Sequence, residues 1–199
     1  MIAKRQDERR KATYDDLLAA PDDVTTELID GELFMSPQPK MRHSIAASAI
    51  GGEVRHAFGR RRAPDDGLPG GWWILHEPEC HLALDKRVTV PDLAGWRRER
   101  MPNPPRDTHK VTVVPDWVCE VLSPSSRGFD SVIKMNAYLA AGVSWVWLVE
   151  PRDLRVDVFQ REGNAWEQVA SIEGSVRARL PPFDEVELDL AEWWEEPEA

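Results

Sequence analysis

Cysteine and tyrosine are scarce, with two of each in 199 residues. Cys80 and Cys119 form no CxxC pair, so a disulfide framework has no support and two reduced, buried thiols are expected. No run approaches 18 apolar residues, which excludes a transmembrane helix. The start, Met1-Ile2-Ala3-Lys4-Arg5-Gln6-Asp7-Glu8, lacks the apolar core of a signal peptide. A cytoplasmic protein without a membrane partner is the expectation. Positive charge is also short: the formal net charge is −10. That counts against a large phosphate-contacting surface. Basic residues do cluster locally, at Arg60-Arg61-Arg62, at Lys86-Arg87, and at Arg97-Arg98 with Arg100, while Glu192, Glu195, Glu196 and Glu198 crowd the C-terminus. The five histidines show no HxH or HExxH spacing, so zinc is not expected. GxSxG, P-loop and GxGxxG patterns are missing too, leaving serine hydrolases, P-loop NTPases and Rossmann enzymes without support. No internal repeat or linker is evident.

Tryptophan is abundant, at nine residues. Some should pack the core. Trp72-Trp73 and Trp193-Trp194 are candidates for a subunit interface. The length suits one domain, residues 1–199, with a full core. Residues 1–12 are charged and aperiodic and read as a flexible start. Thr13-Tyr14-Asp15-Asp16 carries a capping-box pattern. Asp30-Gly31 between two apolar-rich runs predicts a two-residue hairpin. Apolar residues at Ala46, Ile50, Val54 and Ala57 predict a helix over about 43–59, weakened in its middle by Gly51-Gly52. Residues 63–71 read as loop. Strands follow at 72–76, 80–84, 88–90 running on toward 96, and 117–122, with a Pro-rich loop at 99–110. A helix over roughly 130–141 closes at Gly142, and an apolar strand covers 144–150. The remainder reads as hairpins at 155–160 and 165–171, a short strand near Val176 and a terminal helix near 190–194. Strand–helix–strand over 117–150 favours a parallel pair. The fold class is α/β (α+β), a mixed sheet flanked by helices, with an extra N-terminal hairpin and C-terminal hairpins around a core of about 43–150.

Carboxylates within strand-length apolar runs mark the candidate site. Glu120 interrupts Trp117-Val118-Cys119-Glu120-Val121-Leu122, and a buried acid needs a cation or hydrogen-bond donors. Asp92 follows Val88-Thr89-Val90-Pro91. Asp116 lies four residues before Glu120, about 13 Å away on an extended strand, too far to share an ion with it. Asp116 therefore reads as a strand-entry residue. Neighbouring strands are about 4.8 Å apart, so Asp92 and Glu120 converge if their strands pair. Two such acids followed by Lys134 suggest a hard-metal site for phosphodiester chemistry. Structural alternatives stand beside each. Glu120 could be a strand-end acid on a loop amide, Asp92 a turn residue after Pro91, Lys134 an exposed helical lysine opposite Asp130, and His43 a capping or surface histidine.

Glu27-Leu28-Ile29-Asp30-Gly31-Glu32, His43, Pro91-Asp92-Leu93, Glu120-Val121-Leu122-Ser123-Pro124-Ser125, Lys134 with Tyr138, and Ala141-Gly142-Val143 together resemble the Uma-two family. That family is a restriction-endonuclease-like branch of the PD-(D/E)XK nuclease superfamily, and the resemblance covers about residues 13–190. It implies a restriction-endonuclease-like core and a Mg²⁺-dependent endonuclease hydrolysing DNA, with Mn²⁺ as a possible substitute. Asp92 and Glu120 would be metal ligands and, with Lys134, the catalytic residues. Leu122 stands where the superfamily pattern has lysine, and the resemblance implies that Lys134, from the following helix, takes that place. Glu27 and His43 also match family positions, as residues behind the ligands or on the substrate side. DNA is the expected substrate and a homodimer the expected assembly. The competing reading is a non-catalytic nuclease-fold module that binds nucleic acid or a protein partner.

Overall fold

A computed structural model of the chain describes residues 10–61, 67–123 and 128–194. Most of the flexible start expected at 1–12, part of the 63–71 loop, Pro124 to Ser126, and the acids Glu195, Glu196 and Glu198 lie outside the described residues. Asp30 and Gly31 both adopt positive φ, 52° and 92°. This conformation closes a two-residue hairpin whose twist matches its strands. The hairpin joins β1 (Thr25–Ile29) to β2 (Glu32–Ser36), with Ile29 opposite Glu32. Before it, α1 (Tyr14–Leu18) is capped by Thr13, whose hydroxyl accepts from the Asp16 N–H while the Asp16 carboxylate accepts from the Thr13 N–H. Arg10, followed by the Thr13 donors, holds the Asp16 carboxyl down at about 2.

The remaining elements are α2 (Met41–Phe58), β3 (Trp72–His76), β4 (Glu79–Asp85), β5 (Arg87–Thr89), β6 (Leu93–Arg97), β7 (Lys110–Val111), β8 (Trp117–Val121), α3 (Met135–Ala141), β9 (Trp145–Glu150), β10 (Arg155–Glu162), β11 (Ala165–Glu173), β12 (Arg177–Ala178), β13 (Leu188–Asp189) and α4 (Ala191–Trp194). The larger sheet is mixed and runs β11-β10-β9-β8-β6-β3. Its one parallel pair is β8 with β9, joined through α3 as the strand–helix–strand pattern predicts. A smaller sheet runs β2-β1-β5-β4-β7, and β12 pairs with β13.

One expectation is corrected. The run from 88 toward Trp96 is not one strand: β5 belongs to the smaller sheet and β6 to the larger, so the chain changes sheets at Pro91-Asp92. The hairpin expected over 155–171 forms as β10 and β11. It forms one edge of the larger sheet, because β10 pairs along all of β9.

Side-chain alternation on β8 divides the interior. Trp117, Cys119 and Val121 face one cluster, with Ala46, Ile50, Val54 and Phe58 of α2. Val118 and Leu122 belong to the opposite one, with Met135 and Tyr138 of α3. A strand buried on both faces reads as the near-continuous apolar run seen here. The interface reading fails for three of the four tryptophans. Trp72, Trp193 and Trp194 are buried in the core of their own chain. Phe183 contacts Trp72, Trp117 and Trp147 edge-on at centroid distances of 4.9, 4.9 and 5.6 Å, which accounts for much of the tryptophan excess.

Candidate active site

Period-two alternation puts Glu120 on the α3 side of the larger sheet, between Val118 and Leu122. Its side chain is 3% exposed. α3 begins as an extension of a π-helical turn, Phe129–Lys134, and Lys134 stands at the junction. Such wide turns recur at functional sites because they re-aim a side chain. Here the Lys134 ammonium lies 2.8 Å from Glu120 Oε1 and 3.1 Å from Glu27 Oε1, and donates to the Val90 carbonyl at 3.4 Å. The exposed-lysine alternative is overturned, since the Lys134 side chain is 3% exposed. Glu27 is equally enclosed and also accepts from the Val90 N–H at 2.7 Å.

Leu122, two residues after Glu120, shares its face and fills an apolar cluster. The cation that meets Glu120 therefore comes from the crossover helix above the sheet. Tyr138, one turn after Lys134, donates its hydroxyl to Glu120. Burial, followed by the Glu120 charge, pushes the Tyr138 pKa well up, so the phenol stays a donor.

Asp92 immediately precedes β6. The antiparallel register, with Leu93 opposite Cys119, sets Asp92 across from Glu120. Its Oδ2 accepts from the Val121 N–H at 2.6 Å, and its Oδ1 lies 3.1 Å from His43 Nε2 in the first turn of α2. Glu27, His43, Asp92, Glu120 and Lys134 thus come from five separate places in the chain and line one open cleft of about 420 Å³. Asp116 stays apart. It accepts from the Arg97 N–H at 2.8 Å and pairs with Arg100 at 2.7 Å, a strand-entry role.

Sequence reasoning missed Glu77. It lines the same cleft, has φ of 45°, and donates its N–H to the Asp92 carbonyl at 3.1 Å. Its only signal was Pro78, which marks a turn without assigning a role. The segment Ser36 to Lys40, between β2 and α2, also lines the cleft.

Carboxylate oxygens are the donor type that a hard cation takes. Two fully enclosed carboxylates share one ammonium, and Asp92 adds a further acid at the same cleft. No three His, Cys, Asp or Glu side chains among the described residues converge in a metal-binding cluster. A pair of carboxylates completed by water is nonetheless a set that Mg²⁺ accepts, because Mg²⁺ keeps several of its waters. Asp92 and Glu120 are the residues that would hold it. No helix among the described residues is long and apolar enough to cross a membrane.

The crystal structure of a protein from Anabaena variabilis ATCC 29413, described as "a putative nuclease belonging to DUF820", is similar in fold. The TM-score is 0.71 at 21% identity, over 92% of this chain and 97% of that one. No curated protein matches the chain. The profile of the Uma2 family, whose description is "Putative restriction endonuclease", matches residues 12–191. That span holds every residue of the cleft and both sheets, and the chain belongs to the Uma2 family.

Proposed function

We propose that this protein is a Mg²⁺-dependent endonuclease that hydrolyses DNA phosphodiester bonds in the cytoplasm, with Mn²⁺ able to substitute. The observation that carries this reading is that Asp92, just before β6, and Glu120 of β8 line one cleft where Lys134 meets Glu120. Membership of a family described as "Putative restriction endonuclease" supports nuclease chemistry.

Each side chain has a task that follows from its contacts. Asp92 is fixed by the Val121 N–H and His43, which presents its carboxylate at the cleft without rotamer freedom. Glu120 is fixed by Lys134 and Tyr138. Such prior fixing lowers the reorganisation needed in the transition state. The bound metal would supply Lewis acidity toward the phosphoryl oxygen and a water of lowered pKa. Lys134 offsets charge that builds on the phosphate, and Glu27 also holds its ammonium. His43 can take or give a proton at Asp92 or at the substrate side of the cleft.

The second reading, a non-catalytic module that binds nucleic acid or a protein partner, draws on one observation. The Lys134 ammonium is engaged by two carboxylates and is 3% exposed. Plasmid nicking decides between them. Purified protein at low salt with Mg²⁺ or Mn²⁺ is expected to convert supercoiled DNA to nicked and linear forms. Asp92→Asn and Glu120→Gln, which keep shape, are expected to lower the rate at least 100-fold, and Mg²⁺ is expected to raise the melting temperature of wild type only. A wild type that never nicks varied sequences, or variants that cut as well as it does, would sink the nuclease reading. Cutting both strands of a duplex calls for two sites, so we take the active unit to be a homodimer. A monomer by light scattering in the presence of DNA would rule that out.

A further inference from the structure

A second cleft, of about 480 Å³, lies at the opposite end of β6 from Asp92. Arg61, Arg97 and Arg98 line it, together with Glu99 and Glu185. Arg98 is anchored: its Nε donates to the Trp72 carbonyl at 3.0 Å, its Nη2 to the Gly59 carbonyl at 2.8 Å, and its guanidinium lies 3.5 Å from the Trp73 ring centroid. Those bonds occupy two of five N–H donors. The Arg97 guanidinium sits 4.6 Å from the Trp72 ring centroid. Arg61 follows the C-terminal end of α2, close enough for its charge to act on Arg98. Burial lowers the Arg98 pKa first, and the Arg61 charge lowers it further.

Like charges gathered in one cleft repel. Among the described residues none of these three arginines makes an ion pair with a carboxylate, although two carboxylates line the same space. Arg97 lies against an aromatic face, and Arg98 is held by an aromatic face and two backbone carbonyls. This arrangement fixes planar donors while leaving hydrogen-bonding capacity for an external anion, and a guanidinium fork matches phosphate oxygens. Arg97 is five residues along the strand from Asp92, about 16 Å at strand rise. By strand alternation Arg97 faces the opposite side of the larger sheet from Asp92, over Trp72.

We propose that this arginine cleft is a phosphate-binding site that grips the nucleic-acid backbone away from the scissile bond. Taking DNA as the source of the phosphate rests on the nuclease reading; the phosphate chemistry of the cleft does not. The site also reconciles a chain of net charge −10 with a polyanionic substrate, because binding uses a local cluster rather than the whole surface.

Fluorescence anisotropy of a labelled duplex of about 24 base pairs, in EDTA so that nothing is cut, tests this over a range of NaCl concentrations. Arg61 and Arg97 are both exposed, so the Arg61→Gln/Arg97→Gln double variant should fold with an unchanged melting temperature. It is expected to bind about tenfold more weakly, with a log–log salt slope shallower by about two. Glu99→Gln, which removes a competing negative charge, is expected to tighten binding. Calorimetric titration with adenosine monophosphate separates the two sources of phosphate. Binding of the mononucleotide that the double variant loses, with duplex affinity unchanged, would support the phosphate site and assign it to free nucleotides. Unchanged affinity and salt slope for the duplex, with no mononucleotide binding in wild type, would overturn the proposal. Failure of the nuclease reading shows separately, as intact plasmid despite arginine-dependent duplex binding.

Discussion

Lys134 is the cation that meets two enclosed carboxylates, Glu27 and Glu120. Removing one member of such a group leaves an uncompensated buried ion, which costs about 3–5 kcal/mol. Lys134→Met is therefore expected to destabilise the fold by that amount in urea unfolding. Adding Glu27→Gln should recover part of the loss, since one unmatched carboxylate disappears. A single variant as stable as wild type would mean that the contacts contribute little in solution. From spacing alone Lys134 was indistinguishable from a surface lysine, and only the π-helical turn and the crossover explain its direction. Glu27 was legible through resemblance but not through chemistry, since nothing in Thr25–Ile29 shows that the strand's acid meets a lysine over a hundred residues away.

At the scale of elements, α2 tests how glycine acts within a helix. The Gly51-Gly52 pair predicts a weak middle, yet α2 runs unbroken from Met41 to Phe58. The two glycines differ. A Cβ at Gly51 would meet Leu93 Cδ2 at 3.0 Å, so Gly51 allows α2 to approach the β6 strand that follows Asp92. Gly52 has no atom within 4 Å of that position. Gly52→Ala is expected to stabilise by about 1 kcal/mol through helix propensity. Gly51→Ala should gain less or lose stability, because Leu93 must shift. Thermal melts of the two variants would read this difference, and equal gains would refute the packing role of Gly51. The end of α3 is the opposite case. Gly142, at φ 90°, donates its N–H to Leu139 while Val143 donates to Tyr138, a closure legible from Gly142 itself.

At the scale of the whole molecule, burial of both thiols couples stability to alkaline pH. Burial raises the pKa of Cys80 and Cys119 well above the ordinary 9.0; at Cys80 the Lys134 charge opposes the rise, and at both nearby carboxylates add to it. Above pH 9 the unfolded chain releases these protons while the native chain keeps them. The unfolded state then binds fewer protons, and stability falls as pH rises, by up to about 1.4 kcal/mol per pH unit for each thiol. Below pH 9 the thiols contribute no pH dependence. Urea midpoints at pH 7, 9 and 10.5 should show a plateau followed by a decline, and Cys119→Ala should flatten part of the decline. A wild-type midpoint constant to pH 10.5 would contradict it.

The sequence by itself determined what local chemistry controls. Hairpin turn, helix stop, apolar strands and the parallel β8–β9 pair all follow from backbone preferences and periodicity within a few residues. It also picked out Asp92 and Glu120, because a carboxylate in an apolar run is costly enough to stand out. Tertiary structure alone decided the matters that depend on distant partners. It set the change of sheets at Pro91-Asp92, buried Trp193 and Trp194 around their own core, brought Glu77 to the cleft, and gathered Arg61 with Arg97 and Arg98. The physical reason is that propensity and alternation act over one or two turns of chain, whereas an ion pair or a cleft is set by packing between elements far apart in sequence.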